Sequence, residues 1–137
     1  MIALIDPAHA NHDAAHRWLT GIRGDTWATC PITENGAVRI VSHPKYPNAA
    51  ASPAEAARSV ASLRSLLGHE LWADDLSLVA SDWIEPAMIG NSAQVTDTYL
   101  LALALSRGAK LATFDRRLSV SAVRDGKIGL HILGNNG

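Results

Sequence analysis

One cysteine, one phenylalanine and no long apolar run set the first limits on this 137-residue chain. Cys30 lies in Thr26-Trp27-Ala28-Thr29-Cys30-Pro31 and has no second cysteine to pair with, so it reads as a small buried residue in a reducing compartment. No segment approaches the roughly 20 apolar residues that span a bilayer. Met1-Ile2-Ala3-Leu4-Ile5 runs straight into Asp6-Pro7, unlike a secretory signal. A cytoplasmic protein with no membrane partner is expected. An excess of one charge is lacking too: 12 Lys and Arg stand against 13 Asp and Glu, a net charge of −1. With no overall basic field, contact with nucleic acid would have to come from a local patch or a bound metal. The sequence has no G-x-x-x-x-G-K-[ST], no G-x-G-x-x-G and no G-x-S-x-G, which removes the usual support for nucleotide-dependent and serine-hydrolase chemistry. What is present, 47% hydrophobic and 18% charged residues without repeat or linker, is the make-up of a single domain over residues 1–137.

From residue 6 to about 24, Ala10, Ala14, Ala15, Trp18, Leu19 and Ile22 recur at helical spacing. Residues 26–32 contain several β-formers, and Thr33 is placed to cap a helix carrying Ala37, Val38, Ile40 and Val41. A loop over residues 43–51 leads to Ser52-Pro53-Ala54-Glu55, a capping box that predicts a helix to about Leu67, stopped by Gly68. Glu70-Leu71-Trp72 and Ser77-Leu78-Val79-Ala80 are strand candidates. Residues 94–107 form the clearest helix, apolar on nearly every side, closed by Gly108 and expected to be buried. Leu111-Ala112-Thr113-Phe114 and residues 128–133 complete the set as strands. Helices alternating with short apolar strands predict an α/β fold of three layers, α/β/α, with a mostly parallel central sheet.

Three acids occupy corresponding places in this order: Glu34 after a strand, Asp97 in the first turn of a helix, and Asp115 directly after the strand at 111–114. Ligands of open parallel sheets bind outside the carboxyl ends of the strands, where residues distant in sequence converge. Clustered carboxylates repel one another unless a cation neutralises them. Oxygen-only donors suit Mg²⁺ or Mn²⁺, which points to metal-assisted hydrolysis of a phosphodiester. Each acid also has a plainer reading: Asp97 as a partner of the helix dipole, Asp115 as a turn residue, Glu34 as a solvated acid.

Cys30-Pro31-Ile32-Thr33-Glu34, the stretch from Val95-Thr96-Asp97-Thr98-Tyr99 to Ala104, and Leu111-Ala112-Thr113-Phe114-Asp115 resemble, in order, the signature blocks of PIN domains of the VapC-like toxin type. The likeness extends to Pro7-Ala8-His9, to residues 12–18 and to Ser42-His43-Pro44. The resemblance implies a Mg²⁺- or Mn²⁺-dependent endoribonuclease, the toxin of a type II toxin-antitoxin pair, whose cleft is blocked by an antitoxin protein and which forms homodimers. Carried over by position, Glu34, Asp97 and Asp115 are its catalytic and metal-binding acids. The family pattern opens on an apolar strand ending in Asp-x-Asn or similar, whose aspartate is a metal ligand. Aligning residues 2–7 with the segment after that strand places this aspartate upstream of Met1, so the domain is expected to be truncated at its N-terminus relative to the family. A start assigned too far downstream accounts for this most simply. A catalytically inactive relative that still binds an antitoxin is the alternative. Asp6, before Pro7, reads as a turn or cap and not as the missing ligand.

Arg116 and Arg117 follow Asp115 and are candidates to hold RNA phosphate, against the plainer reading of a solvated turn. His12-Asp13-Ala14-Ala15-His16 resembles the zinc-protease pattern H-E-x-x-H, but the acid is one carbon short and no third ligand stands at a recognisable spacing, so packing histidines are expected. Trp18, Trp27, Trp72 and Trp83 lie among apolar neighbours and are expected in the core.

Overall fold

Helices and parallel strands alternate in the computed structural model, which describes residues 1–22, 24–48 and 51–134. Their contacts divide into two units, Met1–Asp74 and Asp75–Gly134.

The first unit contains α1 (Ile2–Ile5), α2 (His12–Gly21), β1 (Trp27–Thr29), α3 (Pro31–Val41), α4 (Pro53–Arg64) and β2 (His69–Leu71). The helix expected from residue 6 starts only at His12, because residues 6–11 spend their polar groups on turns: Asp6 Oδ1 accepts the Ala8 N–H at 2.9 Å and His9 Nδ1 accepts the Asn11 N–H at 3.0 Å. Asp6 is a turn residue, and its other oxygen accepts from the Tyr46 hydroxyl and, at 2.6 Å, from Asn48 Nδ2. The Tyr46 bond leads in holding its carboxyl below the usual aspartate value.

The strand expected over 26–32 is only three residues long, because Pro31 opens α3 behind Cys30, three residues before the cap expected at Thr33. Thr33 serves instead from inside the first turn: its hydroxyl accepts the Cys30 N–H at 3.1 Å and donates to the Cys30 carbonyl at 2.8 Å. From further along the chain, Asp74 Oδ2 accepts the Ile32 N–H at 3.0 Å. The capping box at Ser52 forms as its pattern requires, with Glu55 Oε2 on the Ser52 N–H at 2.7 Å and Ser52 Oγ on the Glu55 N–H at 3.2 Å. Helix α4 stops at Arg64, three residues short of expectation, where Ser65 Oγ donates to the Ser62 carbonyl. It packs on α3 and α1 through buried Ala56, Val60 and Leu63. Strands β1 and β2 pair in parallel, Trp27 opposite His69 and Thr29 opposite Leu71, across the crossover that α3 and α4 supply.

The second unit is built on α5 (Val95–Ser106), preceded by 3₁₀ turns at Pro86–Met88 and Ser92–Gln94 and followed by β3 (Leu111–Thr113) and β4 (Leu130–Ile132). Helix α5 buries Thr98, Tyr99, Leu101, Ala102, Leu103 and Ala104, as its apolar circumference predicts, and Leu101 is 0% exposed. Gly108 ends it at φ +69°, while the Gly108 and Ala109 N–H groups return to the Leu105 and Ala104 carbonyls in a Schellman motif. Leu101 and Ala102 form a core with Ile84, Leu118 and Val123. β3 and β4 are parallel, Leu111 opposite Leu130. The strands thus take the expected parallel direction, as two separate two-stranded ladders, one within each unit.

Residues 77–80 are not a strand. Ser77 Oγ accepts the N–H groups of Val79 at 3.3 Å and Ala80 at 3.1 Å, a local turn that takes the donors a ladder would need, and Val79 is 82% exposed.

Candidate functional site

In the second unit, Asp97 and Asp115 lie near enough for the charge of Asp115 to act on the Asp97 carboxyl. Asp97 sits in the first turn of α5 and is partly buried. Asp115 follows β3 in an exposed turn fixed at both ends: the Asp115 N–H donates to Thr113 Oγ1 at 3.0 Å, and Asp115 Oδ1 accepts the Arg117 N–H at 2.8 Å. The plainer reading of Asp115, a turn residue, is thus observed. Burial, and after it the negative charge of Asp115, push the Asp97 carboxyl above the usual aspartate value. A carboxylate at a helix N-terminus would ordinarily be favoured in its charged form. Here desolvation and a like charge outweigh the dipole, the electrostatic condition that a cation relieves. Among the described residues no group of three or more His, Cys, Asp or Glu is gathered as a metal cluster, so the second unit supplies a pair of carboxylates.

Glu34 lies in the first unit, in the first turn of α3, and both of its oxygens are engaged. Thr29, the buried last residue of β1, donates its hydroxyl proton to Glu34 Oε2 at 2.7 Å. The Arg64 guanidinium reaches Oε1 at 3.4 Å, with side-chain exposures of 40% for Arg64 and 16% for Glu34. Thr29 Oγ1 also stands 2.7 Å from His69 Nε2. A hydroxyl has one proton, and that proton is committed to the carboxylate, so His69 donates from Nε2. Burial first, and then the positive charge of Arg64, lower the His69 pKa and favour the neutral ring. Thr29, Arg64 and His69 are absent from the sequence-based candidates. They lie 5, 30 and 35 positions from Glu34, and only the β1–β2 register brings the last of them close.

Arg116 and Arg117 are exposed in the turn after Asp115. His12 and His16 face α1: His12 Nδ1 donates to the Ala3 carbonyl at 2.7 Å and His16 Nε2 to the Leu4 carbonyl at 2.9 Å, with ring centroids 4.4 Å apart. They satisfy the open carbonyls of a one-turn helix, which is the packing role. Of the tryptophans only Trp27 is buried. Trp18, Trp72 and Trp83 are half-buried, with Arg124 over the Trp83 ring at 5.7 Å, so the expectation that all four lie in the core is corrected. Large amphipathic rings at the rim of a small core are covered on one face only.

Comparison with known proteins places most of the chain beside a set of ribonucleases. Ribonuclease VapC39 of Mycobacterium tuberculosis is 42% identical over 122 residues, covering 89% of this chain and 88% of the relative. Ribonuclease VapC44 of the same organism is 38% identical over 123 residues, covering 90% and 86%. Ribonuclease VapC38 is 39% identical over 133 residues, covering 97% and 92%. The profile of the PIN domain matches residues 1–123, a span that takes in Glu34, Asp97 and Asp115 and draws on both units. On that match, and on parallel strands followed by acids at the positions described, the chain belongs to the PIN domain family.

Proposed function

We propose that the protein is a metal-dependent endoribonuclease, the toxin of a toxin-antitoxin pair, and that its whole length works as one PIN-like domain. The observation that carries this reading is the pairing of Asp97 with Asp115, in which a half-buried carboxyl is forced toward its protonated form by burial and by its neighbour. The donor chemistry fits Mg²⁺ or Mn²⁺: these ions accept one or two carboxylates and keep their remaining positions for water and phosphate oxygens. When bound, such an ion makes water more nucleophilic and neutralises charge on the phosphate during in-line displacement.

The chain's own residues do the rest. Thr113 and the Arg117 N–H hold the Asp115 turn, so the carboxylate is presented without a search through conformations. Asp97 is fixed by the helix that Leu101 and Ala102 anchor in the core. Glu34, one turn beyond the carboxyl end of β1, is assigned to the same metal chemistry, with the Thr29 proton resting on Oε2. Arg116 and Arg117 hold RNA phosphate beside Asp115. An antitoxin protein and a second copy of the chain are the partners that the family resemblance supplies, and a cytoplasmic setting goes with them. No helix among the described residues is long and apolar enough to cross a membrane.

The test is cleavage of a broad RNA panel by the native gene product. With Mn²⁺ or Mg²⁺ the RNA should be cut. EDTA should abolish cutting and restored metal should recover it, and Asp115→Asn should lower the rate by at least about 100-fold, since loss of metal-centred charge stabilisation is worth several kcal/mol. A protein that binds Mn²⁺ normally and leaves every RNA intact would contradict the nuclease reading and leave an inactive, antitoxin-binding relative in its place.

A further inference from the structure

We infer that His69 is a positioning residue for Glu34, acting through the Thr29 hydroxyl. The inference rests on the reading that Glu34 serves the metal chemistry, and it adds His69 and Arg64, which that reading does not name. The His69 Nε2–H donates to Thr29 Oγ1 at 2.7 Å, and Thr29 Oγ1 donates to Glu34 Oε2 at 2.7 Å. The Nε2–H occupies one of the two hydroxyl lone pairs, and the hydroxyl's own proton goes to the carboxylate, which can only accept. Arg64 holds the opposite oxygen at 3.4 Å. Glu34 is thereby pinned on both sides, although a free glutamate at a helix start would sample several rotamers.

Each link has a cause in the fold. Parallel pairing sets His69 opposite Trp27, two residues from Thr29 and on the same face of the strand pair. The Trp27 ring meets the His69 ring edge-on at 4.7 Å and fixes its plane. Gly68 brings the chain into β2 at φ +84°, with its carbonyl accepting the Trp27 N–H at 2.9 Å. A polar residue without an N–H at this reach could therefore not replace the histidine. The chain needs a donor at the Nε2 position, held rigidly, on a side chain long enough to reach the hydroxyl.

The experiment combines ring-nitrogen NMR of His69 with Mn²⁺ titration and RNA cleavage on the native protein and four variants. In the parent, the His69 proton should reside on Nε2, and its resonance should move in Thr29→Val. His69→Ala should weaken Mn²⁺ binding and lower kcat by about tenfold, the size of effect seen when partners of metal ligands are removed, with KM for RNA unchanged. His69→Gln, whose amide N–H falls near the Nε2 position, should recover most of both. Asp97→Asn is the control for the metal reading itself. If Asp97→Asn abolishes Mn²⁺ binding while His69→Ala changes neither affinity nor kcat, the tether is refuted and the metal reading stands. If Asp97→Asn leaves Mn²⁺ binding and cleavage intact, the metal reading fails, and the tether is then decided by the proton position and by the Glu34 carboxyl resonance. That resonance must shift in His69→Ala and return in His69→Gln. A proton found on Nδ1 in the parent overturns the inference in either case.

Discussion

Asp97 shows how one residue can work against its own fold. Its carboxyl lies above the ordinary value of 3.8 because of burial and then Asp115. Between that value and the raised one, the metal-free native state keeps a proton that the unfolded state has released, so stability falls as pH rises through the window, and the full cost is present above it. Asp97→Asn removes the cost with little change in shape. In EDTA the variant should melt higher than the parent at neutral pH, and the two melting curves should converge below about pH 4, near the unperturbed aspartate value. With Mn²⁺ the order should reverse, since only the parent gains stability by binding the ion. Cleavage by the variant should fall by at least about 100-fold. A variant that melts lower than the parent in EDTA at neutral pH would show Asp97 to be a structural carboxylate.

At the scale of elements, local chemistry was legible and pairing was not. The Ser52 to Glu55 box, the Gly108 stop and the burial of α5 follow from residues a few positions apart, and the structure repeats them. The positions of Asp97 in the first turn of a helix and of Asp115 just after a strand follow for the same reason, each being tied to the end of an element that its own neighbours announce. What the sequence hid was competition within short segments: Ser77 turning residues 77–80 out of a strand, and Pro31 taking the start of α3 from Thr33. It also hid the engagement of Glu34, because Arg64 reaches its carboxylate and His69 reaches Thr29 through tertiary contacts that carry no spacing signal. Gly68 is the tightest point of that pairing. A Cβ there would stand 2.7 Å from the Asp25 carbonyl oxygen, at φ +84°, with backbone on the receiving side. Gly68→Ala should cost about 1–3 kcal/mol. The same variant should lose part of the Mn²⁺ affinity in parallel with His69→Ala, measured by denaturant unfolding and titration. Parent-like stability in Gly68→Ala would show that β2 enters its ladder without the turn described.

For the whole molecule, the PIN domain match spans 1–123 and so covers both units, each with its own parallel strand pair and with an acid that follows a strand, Glu34 in the first and Asp115 in the second. A net charge of −1 offers no overall field for RNA, and the proposed function therefore assigns recognition to a local cation and the arginines after β3. The central claim is that Asp97 and Asp115 together hold a divalent ion. Anomalous diffraction from crystals of the protein grown with Mn²⁺ tests it most directly. The account predicts a peak about 2.0–2.3 Å from a carboxylate oxygen of each residue, the range for a hard ion on oxygen donors. A fully occupied Mn²⁺ bound elsewhere, with these two side chains free of it, would contradict the claim.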